Sequence, residues 1–216
     1  MNLTASILSL DRAAIQALRV TDPYSLHRVV YSLYDDVRSA VQKAASEPSG
    51  ILYADQGGSR QGRAVLLLAN RPPADHLVDE HGQVHGEVVS RPIPQGFLDH
   101  EHYRFRAIVN PTRRDSVTRK RVAVQGRDAV AQWFMGRAPS GWGFAIPAGH
   151  LRVGRIETLQ FADKAGRRVT LVQAHIQGGL VVTDRAQFRH SFSAGIGRGR
   201  AFGCGLLQIV PSGEFS

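Results

Sequence analysis

Between Ser193 and Leu207 the chain reads Ser-Ala-Gly-Ile-Gly-Arg-Gly-Arg-Ala-Phe-Gly-Cys-Gly-Leu-Leu, and this stretch constrains the fold more than any other. Its five glycines, Gly195, Gly197, Gly199, Gly203 and Gly205, let the backbone enter positive-φ conformations and approach another backbone with no Cβ in the way. Bare amide N–H groups beside the cationic Arg198 and Arg200 are the means by which loops cradle phosphate oxygens, so Gly195, Gly197, Arg198, Gly199 and Arg200 are candidate contacts to a phosphate-bearing ligand. A glycine-permitted turn ahead of the last strand is the plainer alternative. Neither nucleotide fingerprint is met: no Gly-Lys-Ser/Thr follows, and Leu206-Leu207-Gln208-Ile209-Val210 is a strand signal where a dinucleotide site needs a helix.

The charge distribution narrows the ligand. Residues 1–101 carry nine Lys and Arg against twelve Asp and Glu, net −3, while residues 102–216 carry 18 against six, net +12. Arginine outnumbers lysine 16 to 2 in that basic half, and its planar fork suits phosphates and base edges better than a lipid surface. No apolar run approaches the roughly 20 residues of a membrane span, and the N-terminus lacks the layout of a signal peptide, so a cytoplasmic protein with no membrane partner is expected. The one cysteine, Cys204, sits between glycines beside an apolar run and reads as packing.

Along the first half, Leu3 to Leu10 alternates as a half-buried strand with Leu3, Ala5 and Ile7 on one side. A short helix follows Asp11, and a second begins at Asp22-Pro23, an N-cap followed by proline at the first helical position. At about 100° per residue, Leu26, Val29, Val30 and Leu33 form its core stripe, which leaves Tyr24, His27, Arg28 and Tyr31 facing outward. Ile51-Leu52-Tyr53 and Ala64 to Leu68 read as strands joined by a polar hairpin rich in Gly and Gln. A turn at Asn70 to Asp75, with a short helix after it, leads to a strand near Glu87 to Arg91. The order strand, helix, strand, strand, short helix, strand is that of a ferredoxin-like, RRM-like unit over residues 1–93, with Pro92 to Gly96 as the linker.

Residues 97–216 repeat the plan. Tyr103 to Val109 alternates with Arg104 and Arg106 opposite Phe105, and an arginine-rich turn carries Arg113, Arg114, Arg119, Lys120 and Arg121. Gly126 to Arg137 has apolar residues at helical spacing. Leu151 to Leu159 and Val169 to Ile176 flank a basic tip with Lys164, Arg167 and Arg168, Gly179 to Thr183 continues as strand, and Asp184 caps a helix to about Ala194. The predicted class is therefore α+β, two tandem βαββαβ domains.

Asp22-Pro23-Tyr24-Ser25-Leu26-His27-Arg28, Phe105 to Pro111, Gly179 to Asp184, and Gly195-Ile196-Gly197 with Ala201-Phe202-Gly203-Cys204-Gly205-Leu206-Leu207 are similar, in the same order, to segments of the type I-E CRISPR repeat endoribonucleases. This is the CasE or Cse3 family, which processes precursor crRNA within the Cascade complex. The resemblance implies two ferredoxin-like domains, a CRISPR repeat RNA hairpin as substrate and retained product, other Cascade subunits as partners, and metal-independent cleavage without a cofactor. It implies that His27 and Tyr24 are catalytic, and that a cation of the second domain, best matched by Lys164, assists at the phosphate. The family usually has a lysine where Arg200 stands.

Such chemistry needs a group to take the 2′-OH proton, a group to serve the leaving 5′-oxygen, and positive charge at the phosphate. His27 and Tyr24, three residues apart on one helix face, fit the first two needs. With few aromatics and many arginines, the RNA is expected to be a structured stem held by its phosphates, contacted by Arg28, Arg104, Arg106 and the arginines of the turn, the basic tip and the glycine loop. A metal site built on His81 and His85, or on His100, Glu101 and His102, lacks supporting carboxylates. The RRM stacking run is absent, Gly141-Trp142-Gly143-Phe144 being a distant echo.

Overall fold

The structure, a computed structural model, describes residues 2–45, 47–59, 62–79 and 81–215. The chain divides into two compact units, residues 1–93 with 201–203, and residues 94–200 with 204–216.

The first unit runs β1 (Thr4–Leu10), α1 (Arg12–Ala17), α2 (Pro23–Ser32), α3 (Ala40–Ala44), β2 (Ile51–Gly58), β3 (Arg63–Ala69), β4 (Leu77–Val78), β5 (Val84–His85) and β6 (Glu87–Pro92). Its sheet has the order β2-β3-β1-β6 and is antiparallel throughout, which is the arrangement of a ferredoxin-like sheet. Two expectations are corrected. The short helix after Asp75 is replaced by the β4–β5 hairpin, because Pro72-Pro73, Gly82 and Gly86 break a helix and the Asp79 carboxylate instead accepts the amides of His81 (2.8 Å) and Gln83 (2.9 Å). In β1 the inward face is Ser6, Leu8 and Leu10, all buried, while Ile7 of the expected face is 48% exposed. Alternation defines two faces without saying which one the helices cover; here α2 lays Leu26, Val29, Val30 and Leu33 in one core with Leu8 and Leu10. Of the hairpin between β2 and β3, Arg60 and Gln61 lie outside the described residues.

The second unit runs β7 (His102–Val109), β8 (Thr112–Arg114), β9 (Arg121–Ala123), α4 (Arg127–Trp142), β10 (Phe144–Ala145), β11 (Leu151–Ala162), β12 (Arg168–Val182), α5 (Arg185–Ala194) and β13 (Gln208–Pro211); a 3₁₀ turn at Arg200–Phe202 starts at Arg200 and runs on into residues 201–203 of the first unit. The sheet order is β10-β12-β7-β13, with β11 also pairing β12, so β10 and β11 share the place of one strand. Its core is aromatic: Phe105 stacks on Phe134 at 5.7 Å, and Phe134 meets Trp142 at 4.9 Å and Phe144 at 6.1 Å. Trp142 and Phe144 are thus core residues, and the Gly141 to Phe144 run offers no stacking platform. α4 continues past Arg137 to Trp142, where Gly143 closes it in the left-handed conformation. The last strand starts at Gln208, after Leu206 and Leu207 have been buried.

Candidate functional site

The placement of His27 begins with the start of α2. The Asp22 side chain accepts the Ser25 amide at 2.7 Å, the Ser25 hydroxyl reaches back to the Asp22 amide at 2.9 Å, and Pro23 occupies the first turn. This capping box supplies about 1 kcal/mol and fixes where the helix begins. Burial of Leu26, Val29, Val30 and Leu33 then fixes its rotation. On the other face the His27 ring lies 6.2 Å from that of Tyr24 and 4.1 Å from that of Tyr31, whose hydroxyl pairs with Ser49 at 2.9 Å. Arg28 is exposed beside them.

His27 faces away from the core stripe, yet it is half-buried. The cover comes from residues 201–203, which fold with the first unit: the Phe202 ring stands 6.0 Å from the imidazole. Burial pulls the His27 pKa below its ordinary 6.5, and the backbone of Ala201 works against that pull. Nδ1 is enclosed with no hydrogen-bond partner among the described residues. Tyr53, fully buried on β2, donates its hydroxyl to the Ala201 carbonyl at 2.9 Å. Tyr53, Ala201 and Phe202 escaped sequence reasoning as site residues. Their only trace was the Ala201-Phe202-Gly203 segment inside the glycine loop, since nothing local on α2 or β2 points to it.

The cations gather in the second unit. Strands β8 and β9 close through a turn in which Asp115 takes the Thr118 amide at 2.8 Å and Arg119 adopts φ 56°, presenting Arg113, Arg114, Arg119, Lys120 and Arg121 to solvent. Arg121 has its pKa lowered by like charge, Arg198 first, with Arg114 and Arg137 adding to partial desolvation. Hairpin, glycine loop and α4 therefore converge on one field of positive charge. Arg137, held over the Trp133 ring at 5.7 Å within α4, was missed because the helix is read from sequence only for its apolar spacing. Arg104 and Arg106 stand on the exposed side of β7.

The other basic candidates are engaged to different degrees. Arg167 is bound to Asp163 at 2.8 Å and Arg168 to Gln160, while Lys164 is exposed at the β11–β12 turn. Arg200 spends its guanidinium on the carbonyl of Ala194 at 2.6 Å, closing the end of α5, whereas Arg198 is exposed. All five glycines of the loop have positive φ. At Gly205 the need is strict, because a Cβ there would lie 2.4 Å from the Ile196 carbonyl oxygen.

His85 pairs with Asp79 at 2.8 Å, which holds the Asp79 carboxyl down at about 2, and His102 packs on Phe215. Among the described residues no group of three or more His, Cys, Asp or Glu could hold a metal ion, and no helix is long and apolar enough to cross a membrane. Cys204 is buried beside Gln173, and burial pushes its thiol up to about 12.

A family model described as CRISPR associated protein matches residues 1–211. The CRISPR-associated endoribonuclease Cse3 of Thermus thermophilus is 27% identical over 225 residues, spanning 98% of this chain and 100% of that protein. A solved structure of CRISPR endoribonuclease Cse3 bound to a 19-nucleotide RNA superposes with a TM-score of 0.80 at 24% identity, over 98% of this chain and 100% of the other. A chain of a CRISPR RNA-guided surveillance complex in a pre-nicking state does so with a TM-score of 0.64 at 23% identity, over 98% and 100%.

Proposed function

The chain belongs to the CRISPR associated protein family, and from that premise we propose that it is a metal-independent endoribonuclease of the CasE/Cse3 kind, cutting CRISPR precursor RNA at the base of its repeat hairpin. The observation that carries the reading is His27, set between Tyr24 and Tyr31 with its pKa drawn below the ordinary value. A histidine so placed is neutral at pH 7, the form that accepts a proton. It takes the proton of the substrate 2′-OH; O2′ bonds to the adjacent phosphorus; the P–O5′ bond breaks; and Tyr24 protonates the departing oxygen. The products end in a 2′,3′-cyclic phosphate and a 5′-OH.

Charge on the phosphate is offset by cations, with Lys164 given that role, while Arg28, Arg104, Arg106 and the cluster of Arg114, Arg121 and Arg198 hold the stem by its backbone. The product stays bound and is delivered to a larger assembly, since relatives at full-length coverage are parts of RNA-guided surveillance complexes. Labelled repeat RNA incubated in EDTA tests the proposal: a single cut that leaves a cyclic phosphate is the expected outcome. Cutting that needs added magnesium, or no cutting at all, defeats it.

A further inference from the structure

We propose that Tyr53 is a positioning residue for His27, acting through the main chain of Ala201. The inference deepens the endoribonuclease reading and rests on it. Tyr53 is 1% exposed and pairs across β2–β3 with Leu67, so its ring is fixed by the first unit's core. A hydroxyl buried to that degree must find a partner, and this one reaches 148 residues along the chain to the Ala201 carbonyl. The far end of the same three-residue segment is fixed by the same ring: Gly203 packs so closely on it that a Cβ would stand 3.1 Å from Tyr53 Cε2. Between those two anchors lies Phe202, whose ring faces His27.

The segment that covers His27 is thus held at one end by the hydroxyl of a core tyrosine and at the other by its face. The consequence is chemical as well as steric. The Ala201 backbone favours the protonated imidazole and burial favours the neutral one, so the position of Ala201 decides where that balance rests. Among the described residues the other rings against the imidazole are those of Tyr24 and Tyr31 on α2 and of Phe202 on the loop, and the two tyrosines stay on their helix when the Tyr53 hydroxyl is removed.

Tyr53→Phe keeps the buried ring and removes the hydroxyl that tethers Ala201. Single-turnover cleavage of labelled repeat RNA should slow by about 10-fold to 100-fold, the usual effect of misplacing a reacting group by about an ångström. The dissociation constant for the RNA and the melting temperature should stay close to wild type, and the ¹⁵N ring resonances of His27 should move. Unchanged His27 resonances overturn the proposal, and so does a slower rate matched by an equal loss of RNA affinity or by a collapse in melting temperature. His27→Ala, run alongside, tests the parent reading separately: if it still cuts, His27 is not catalytic whatever its resonances do in Tyr53→Phe.

Discussion

The imidazole of His27 lies 4.1 Å from the ring of Tyr31, one helical turn further along α2, with the two planes inclined at 46°. Tyr31 packs against the edge of the core and holds the imidazole on the outer face of the helix, while the His27 ring itself adds nothing to the Leu26, Val29 and Val30 stripe. The ring can therefore be removed without opening the core. His27→Ala should abolish cutting, by about 10²-fold to 10⁴-fold, while melting temperature and RNA affinity hold. Tyr24→Phe should lower the rate and leave binding alone. A cleaving His27→Ala protein, or one that unfolds, contradicts the assignment.

The depressed pKa of His27 has a definite sign for stability. Its folded value lies below the unfolded one near 6.5, so the unfolded state takes up the proton first as pH falls. The contribution is complete above about pH 6.5 and is lost as pH drops from there through the folded value. Denaturant midpoints measured across that window should fall in the wild type, and the part due to this residue should vanish in His27→Gln. An identical slope in both proteins would mean that the imidazole is not buried as described.

How far the site could be read from the chain follows from where its parts come from. Asp22-Pro23 and the 3.6-residue apolar spacing made α2 and the outward face of His27 legible, because caps and periodicity are local. The burial of that same histidine was not legible: its cover, Ala201 and Phe202, lies far along the chain, and only tertiary folding joins them. In β1, alternation defined two faces, but the choice between Ile7 and Leu8 belongs to the helices packed on one of them. Arg137 went unseen for a similar reason, since its companions Arg121 and Arg198 come from a hairpin and a loop.

The glycine loop supports a paired test. A Cβ at Gly205 (φ 88°) would strike the Ile196 carbonyl, whose amide in turn donates to the Gly205 carbonyl at 2.8 Å. Gly197 also has positive φ (68°), but nothing stands within 4 Å of its missing Cβ. Gly205→Ala should cost several kcal/mol or prevent folding, whereas Gly197→Ala should cost only the backbone strain of about 1–2 kcal/mol. Thermal melts of the two variants decide it; equal costs would mean the loop is not pinned at Gly205.

Arg198, Arg114 and Arg137 each crowd Arg121 with like charge in the free protein, and such crowding has a use when an anion arrives. If Arg114, Arg121, Arg137 and Arg198 meet RNA phosphates, log affinity should fall linearly with log salt, and replacing any one that touches phosphate should reduce the slope by about one. Arg200→Ala should behave differently, because that guanidinium is occupied by the Ala194 carbonyl: the melting temperature should drop more than the salt slope changes. A salt dependence that is flat in the wild type would assign the basic half to something other than an RNA backbone.

The identity of the nucleophile is the sharpest test of the chemistry. His27 and Tyr24 can move protons, and a general base takes one from a 2′-OH as it does from water. The 2′-OH has the advantage because it is already held beside its own phosphorus, and intramolecular placement can supply roughly 7–11 kcal/mol of the barrier in favourable cases. Two modest proton-transfer groups then suffice. Replacing that single 2′-OH with hydrogen removes the nucleophile and leaves the phosphates and the shape of the stem as they were. Binding of the 2′-deoxy RNA should therefore match that of the normal repeat while cutting stops. If the deoxy substrate is cut, water is the attacking group, and the roles given to His27 and Tyr24 fall together.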